Sequence, residues 1–558
     1  MLDDLDLSGV TDPEARRILG VLLNVIETQA AEIVLLRAEI VLLRAEIVLL
    51  RAENNRLKGE QGAPTLLPSK RVAADHASER ERGARRPARP RVDKRSLLHI
   101  DRTQEQEVDP ALLPSDAERK GYAEFVVQDV ALHTDTVLFR RARWYAASTG
   151  RSYQASLPDG YADQGHYGPG LKALALQLYY QGHMSAPKVL EVPRSVGIVI
   201  SAAHLSTLLI EQPIFAAEYE AITRAGLASS PYQHVDDTST RVNGVEEQCH
   251  ILCSPLYTAY RTTARKDRQA VLDVLRLGAP RAYQLNRYAW TFLAAHGLPT
   301  AILTALGRLP QGVDLDADTF GALLEEHIPR LGPQQRQQIL DAAAIGAYRV
   351  QQDVPVVEIL VCDDAPQFKG VTAEVALCWV HAGRHFKKLT LLFAHHRALV
   401  DTFLTDFWAY YHDLQAYRTQ PTLAERARLD AAFDTLVARR TGYWRLDERI
   451  AKTAAKKEAL LCVLAHPDAP LHNNPAELGA RHRVRKRDVS FGPRSQAGLT
   501  AWDIFGTITP TAAKLGVNVA HYLHDRLSGA YQMPSLADLI TQRTAAAHSG
   551  SAVALAAA

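Results

Sequence analysis

Cysteine is scarce in this chain. Cys249, Cys253, Cys362, Cys378 and Cys462 are the five thiols among 558 residues. So few, so unevenly placed, argue against a disulfide framework and point to a reducing compartment. An excess of charge of one sign is also missing: 64 Lys and Arg against 62 Asp and Glu leave a net charge of +2. Bulk electrostatics therefore names no polyanionic partner, and only local clustering can do so. No uncharged apolar run reaches the ~20 residues that a bilayer span needs. The N-terminal MLDDLDLSGV lacks the basic region that opens a secretory signal. These absences lead us to expect a soluble, cytoplasmic protein with no membrane partner. What is present suffices for several domains. At about 150 residues per domain the prior is three or four units, and an apolar fraction of 47% allows sizeable cores.

A repeat dominates the N-terminal part. AEIVLLR occurs at 31–37, 38–44 and 45–51, followed by AENNRLK at 52–58. A seven-residue period predicts a coiled coil. Ile33, Ile40, Ile47 and Asn54 occupy position a; Leu36, Leu43, Leu50 and Leu57 occupy d. β-branched a with leucine d favours a parallel dimer, and a lone Asn at a fixes register. Glu39, Glu46 and Glu53 stand five residues before Arg44, Arg51 and Lys58, the spacing of interhelical salt bridges. Val34, Val41, Val48 and the leucines beside them add apolar surface at b and c, which leaves the number of strands open.

Residues 61–97 follow as a basic linker, with ten Lys or Arg against four acids between 66 and 96. Such a composition does not bury a core; it serves as a solvated spacer or a non-specific phosphate contact. Segment 98–165 is expected to be β-rich, with a hairpin in EFVVQDVALHTDTVLFRRARWYAAS. Segment 166–225 reads as helix, break at Gly182, short segment and helix with Ser201 as N-cap, compatible with a helix-turn-helix module. A core is expected over 226–545, with helical insertions near 266–353 and 390–468 and a low-complexity, disordered tail at 546–558.

Within the core, VPVVEILVC is an almost unbroken apolar run, as a strand buried on both faces requires, and it ends in Asp363-Asp364. Asp236 follows the strand-like YQHV, and Glu477 opens a helical segment after Asn473-Asn474. Three carboxylates gathered from two strands and a helix repel one another unless cations neutralise them. Mg²⁺ takes carboxylate and water oxygens, and two such ions suit an in-line phosphoryl displacement. Sixty-two acids allow many such triples, so spacing alone is not specific.

The surrounding words are specific. Cys362-Asp363-Asp364-Ala365-Pro366-Gln367-Phe368 resembles the second-acid segment of integrase-like and transposase cores. Val235-Asp236-Asp237-Thr238 with Arg241-Val242-Asn243-Gly244 resembles a first-acid segment. His472-Asn473-Asn474-Pro475-Ala476-Glu477 with Arg485-Lys486 and Phe491 resembles a third. Cys378-Trp379-Val380-His381 with His385-Phe386 resembles the Cys-x-x-His word after the second acid, and TITPTAAKLGVNVAHYL a closing helical segment. Together they resemble the insertion-sequence-sixty-six family of bacterial DDE transposases. The resemblance implies a ribonuclease-H-like catalytic core with Asp236, Asp363 and Glu477 as catalytic acids and ligands of two Mg²⁺ or Mn²⁺ ions. Asp237 and Asp364 stand beside two of them, so either register fits the words. The family's cysteine-rich zinc ribbon is missing, since 98–165 holds no Cys.

Other groups join the candidate site. His381 and Asn474 are expected to support it. Arg481, Arg483, Arg485, Lys486 and Arg487, five basic residues in seven, suit a phosphate track or a solvated helix face. A zinc site built on Cys378, His381 and His385 with Cys249 and Cys253 lacks the spacing of known zinc modules. The expected fold is multidomain α/β: an N-terminal coiled coil, β-hairpin and helix-turn-helix-like modules, and the catalytic core with helical insertions. The expected function is metal-dependent DNA cleavage and strand transfer at element ends, by a nucleoid-associated homo-oligomer. A non-catalytic dimeric DNA-binding regulator and a nuclease without strand transfer are the alternatives.

Overall fold

The computed structural model describes residues 10, 12–57 and 99–556, less short breaks at 110–112, 115–116, 120, 131–133, 159–160 and 162–166. The basic linker 61–97 lies outside the described residues. The chain forms two compact units, one of residues 33–135 and one comprising 1–32 and 136–558.

The AEIVLLR repeats lie in one continuous helix, Pro13–Leu57, of 45 residues. In the single chain the a and d residues Ile33, Leu36, Ile40, Leu43, Ile47 and Leu50 are all exposed. Pro13–Ile47 is long and apolar enough to cross a membrane by length and composition, with a mean hydropathy of 1.7 in its most apolar window. Charged residues nevertheless recur in every heptad, so the run is never uncharged. Elsewhere in the 33–135 unit, Arg119 pairs with Glu107 at 2.7 Å and the Tyr122 hydroxyl donates to Glu105 at 2.9 Å.

The hairpin expected between 124 and 148 is displaced. Among the described residues, 121–142 contain no strand. The pair instead consists of β1, Arg143–Ala146, and β2, Arg151–Gln154. Gly150, at φ 65°, supplies the left-handed turn residue that closes it. The segment read as one β-rich module is also divided between the two units at residues 135 and 136.

In the larger unit a five-stranded mixed sheet runs in the order β5-β4-β3-β6-β7. β3 is Tyr232–Val242, β4 Val245–Cys253, β5 Thr258–Thr263, β6 Ile359–Cys362 and β7 Glu374–Leu377. β4 pairs antiparallel with both β3 and β5, whereas β3, β6 and β7 run parallel. Asn243 and Gly244, at φ 48° and 84°, form the two-residue turn between β3 and β4, whose twist matches the flanking strands. β6 is buried at all four positions, as a short apolar strand between two parallel neighbours must be.

Helices surround this sheet. Four lie between 169 and 228, one of them started by Ser201, whose side chain accepts the His204 N–H at 3.1 Å. Five fill 268–350 between β5 and β6, and five more lie between 394 and 465. The N-terminal helix docks on the second set through Glu27. Its fully buried carboxylate meets His396 Nδ1 at 2.5 Å and accepts the Leu392 N–H. Burial opposes the charge, but those bonds hold Glu27 below the usual carboxylate range. At the C-terminus, helix Leu536–Ala556 occupies most of the stretch expected to be a disordered tail; alanine favours helix strongly enough to explain this.

Candidate active site

The acid-bearing strands are neighbours. β3 and β6 pair in parallel with Tyr232 opposite Ile359 and His234 opposite Val361. Continuing that register by two residues sets Asp236 level with Asp363, just beyond β6. Opposite Asp236 on β4 stands Ile251, and directly paired residues share a face of the sheet. Ile251 packs against Ala476 and Ala480 of helix Asn474–Ser490. Asp236 therefore belongs to the face that this helix covers, and Glu477 lies in the helix's first turn. Alternation puts Asp237 on the opposite face, where Gln367 Nε2 donates to it at 2.7 Å.

Two contacts seat the helix. Gly479 lies so close to β4 that an added Cβ would fall 2.7 Å from Ile251 Cγ2. The Gly479 carbonyl also accepts the Tyr260 hydroxyl at 3.0 Å. Just before the helix, buried Asn473 ties the helix start to β3 and to Cys378, which follows β7. Its Nδ2 donates to the Val235 carbonyl at 2.7 Å, its Oδ1 accepts His234 Nδ1 at 3.0 Å, and its backbone N–H donates to Cys378 Sγ at 3.2 Å. Burial pushes His234 down to about 4, so the ring is neutral, and the tautomer with hydrogen on Nδ1 suits the Asn473 oxygen. The supporting role expected of Asn474 belongs to Asn473; Asn474 is exposed.

The electrostatics show crowded negative charge. Burial raises Asp236 to about 7, with Asp363, Asp237 and Glu477 adding to the rise and the Asp237 N–H opposing it. Asp363 is also raised, chiefly by burial, although His381 favours its charged form. Asp364 behaves differently. Burial acts against it, but Lys456 and Lys369, the latter at 3.0 Å, hold it below the usual range. Of the second doublet, then, Asp364 is paired with lysines, whereas Asp363, like Asp236, is raised chiefly by burial. Glu477 is held by both Arg384 nitrogens, at 3.1 and 3.0 Å. Neither Asn473 nor Arg384 was singled out by the sequence reading. Among the described residues these three acids are not drawn within 4.8 Å of one another.

His381 lies in helix Trp379–Lys387, and its backbone N–H donates to Cys378 Sγ at 3.4 Å. Burial lowers its pKa while Asp363 opposes this, and its ring meets His385 at 4.8 Å. A cleft beside the acids is lined by Asp364, Cys378, His381, His385, Arg449 and Lys456. The zinc reading of these residues fails on position. Cys249 and Cys253 are wholly buried within β4, and the Cys378 sulfur already caps two backbone N–H groups.

The five-residue basic run divides. Arg481 and Arg485 are exposed, and Arg487 is half-buried and donates to the Ser239 carbonyl. Arg483 and Lys486 are buried and correct the expectation of a DNA contact. Arg483 pairs with Asp503 at 2.9 Å and stacks on Trp502. Lys486 donates to the Tyr179 and Met184 carbonyls and sits 3.1 Å above the Tyr179 ring. Both occupy the face of the helix turned toward neighbouring aromatic side chains.

Comparison with known proteins agrees with this architecture. The model of the transposase IS66 family matches residues 347–501, which include Asp363, His381 and Glu477. The uncharacterized protein y4jO of Sinorhizobium fredii is 32% identical over 303 residues, 54% of this chain and 94% of that protein. With the acids and their flanking words in place, the chain belongs to the transposase IS66 family.

Proposed function

We propose that this chain is a DDE transposase that cleaves DNA at element ends and joins the freed 3′-hydroxyl to target DNA. The observation that carries this reading is the convergence of Asp236 and Asp363, on adjacent parallel strands, with Glu477 from a helix laid over the same sheet face. Three antiparallel strands followed by two parallel ones, with the acids at the central pair, support a ribonuclease-H-like core. Two Mg²⁺ or Mn²⁺ ions bound there supply an activated oxygen nucleophile and charge stabilisation at the leaving oxygen. Asp236, Asp363 and Glu477 would hold the ions, and Asp236 would give up its proton on binding them. Arg384 fixes the orientation of Glu477, and Asn473 fixes the spacing between the first and third segments. Arg481 and Arg485 face solvent and hold the DNA backbone. The exposed heptad face of Pro13–Leu57 supports assembly through a coiled coil.

The reading is tested with a duplex carrying the element's end. Asp236→Asn, Asp363→Asn and Glu477→Gln should each abolish Mg²⁺-dependent cleavage and leave DNA binding intact, because each keeps the shape and removes one charge from the cage. Cleavage without joining would leave a nuclease. Full activity in all three variants would refute these acids as the catalytic ones, and no cleavage by the wild type would leave a DNA-binding regulator.

A further inference from the structure

At the β7 edge of the sheet, away from the three acids, Glu374, Cys462 and His466 bring a carboxylate, a thiol and an imidazole together. Among the described residues theirs is the group whose potential ligand atoms all lie within 4.8 Å of one another. His466 Nε2 is 2.7 Å from Glu374 Oε1, and the Cys462 sulfur is 3.7 Å from Oε2. Glu374 opens β7; Cys462 begins the short helix Cys462–Ala465, and His466 follows it one turn later. We propose that these three residues form a zinc site, with Cys462 as thiolate, His466 as neutral imidazole through Nε2, Glu374 through one oxygen, and water in the fourth place.

The donor set fits the ion. Zinc accepts sulfur, nitrogen and oxygen together in tetrahedral geometry. At ordinary zinc–ligand lengths the donors stand about 3.4–3.6 Å apart. The separation of sulfur from Glu374 Oε2 is already there, whereas His466 Nε2 now sits on the other oxygen, Oε1, and must leave it for the ion to take a single carboxylate oxygen. The Glu374 and His466 side chains are 45% and 37% exposed, so both can move and the outward position is open to water. Cys462 is 5% exposed and anchored among Ile359, Val361 and Ala376. Charge balances, since one thiolate and one carboxylate neutralise a divalent ion. Binding forms the zinc–sulfur bond and releases the thiol proton to solvent. Burial and the nearby carboxylate push that thiol up to about 12, so zinc affinity rises with pH.

An exposed His–Glu pair alone adds little stability and has no use for a buried thiol beside it. A zinc ion would pin residues 462–466 to the edge strand. Those residues lead through Leu471 and His472 to Asn473, so the ion would stiffen the approach to Glu477 without touching the catalytic metals.

The test uses the full-length chain, stripped with chelator, reloaded with zinc and analysed by elemental mass spectrometry. We expect one zinc per chain, weakened about 100-fold or more in His466→Ala and Cys462→Ser, since losing a ligand exceeds the loss of an outer partner. Reloading with Co²⁺ should give a thiolate charge-transfer band that Cys462→Ser removes. Asp236→Asn should keep both the zinc and the band, which separates this site from the catalytic acids. If Cys462→Ser does not fold, the exposed His466→Ala decides. No bound zinc in the wild type, or full zinc in His466→Ala, overturns the proposal.

Discussion

Gly479→Ala probes the seat of the catalytic helix with one methyl group. In an exposed helix this change would stabilise by about 1 kcal/mol, because alanine is the better helix former. Here the new Cβ lands 2.7 Å from Ile251 Cγ2, 3.3 Å from the Tyr260 hydroxyl and 3.7 Å from Thr258 Cγ2. Carbon atoms prefer about 3.5–4.0 Å, so the helix or the strand must retreat by about 1 Å. Ile251 is completely buried on β4 and has little room to yield. Overpacking of this kind costs about 1–3 kcal/mol. Set against the propensity gain, the net loss of stability is roughly 0–2 kcal/mol. Activity should suffer more, because Glu477 lies half a turn away on the moving helix and a 1 Å misplacement at a catalytic centre can cost about 100-fold. Urea melts measure the first quantity, and Mg²⁺-dependent cleavage of an end duplex the second. A variant as active as the wild type would refute the idea that this contact positions the acid. A variant that is unfolded at 25 °C would refute the energetics.

Four further outcomes follow from the same geometry. Asp237→Asn and Asp364→Asn should retain much of the cleavage activity, since Gln367 and the lysines hold these groups; loss of activity in either would shift the catalytic register by one residue. Metal-free stability should fall as pH rises from about 4 to about 7, because the folded Asp236 carboxyl keeps a proton that the unfolded chain has released; Asp236→Asn should flatten this slope in urea melts with chelator. Arg483→Ala should destabilise by about 3–5 kcal/mol by stranding buried Asp503, whereas Arg481→Ala and Arg485→Ala should leave the melt unchanged and each reduce the salt slope of DNA binding by about 1. A peptide spanning 15–58 should sediment as an oligomer at micromolar concentration, and a monomer would remove the coiled coil.

Much of the core was legible because its signals are local. The apolar run ending in Asp363 and the Ser201 cap each rest on a few adjacent residues, whereas the Asn243-Gly244 turn was passed over inside a motif word. Other features depended on which helical face is buried. Arg483 and Lys486 read as a solvent stripe beside Arg481 and Arg485. Yet Ala476, Gly479, Arg483 and Lys486 recur at three- and four-residue spacing, the signature of a packed face. Charge counting hid it. Asn473 was missed for Asn474 because the helix start decides which of the two points inward. The hairpin was misplaced because β-branched residues between 124 and 138 favour strands, while closure was set by the turn at Gly150. Arg384 lies 93 residues from Glu477 and carries no signal that sequence spacing could reveal.

The bond between His234 and Asn473 closes a loop of 239 residues. Contacts of such range make folding slow, since loop closure must precede any gain from the contact. At about 5–20 residues per second, the ribosome needs roughly 12–48 s between the two. For about the first half of that interval β3 has its antiparallel partner while its other edge waits for β6. A nascent chain therefore spends most of its synthesis unable to assemble the proposed catalytic centre, and until β6 arrives that open strand edge is exposed to aggregation.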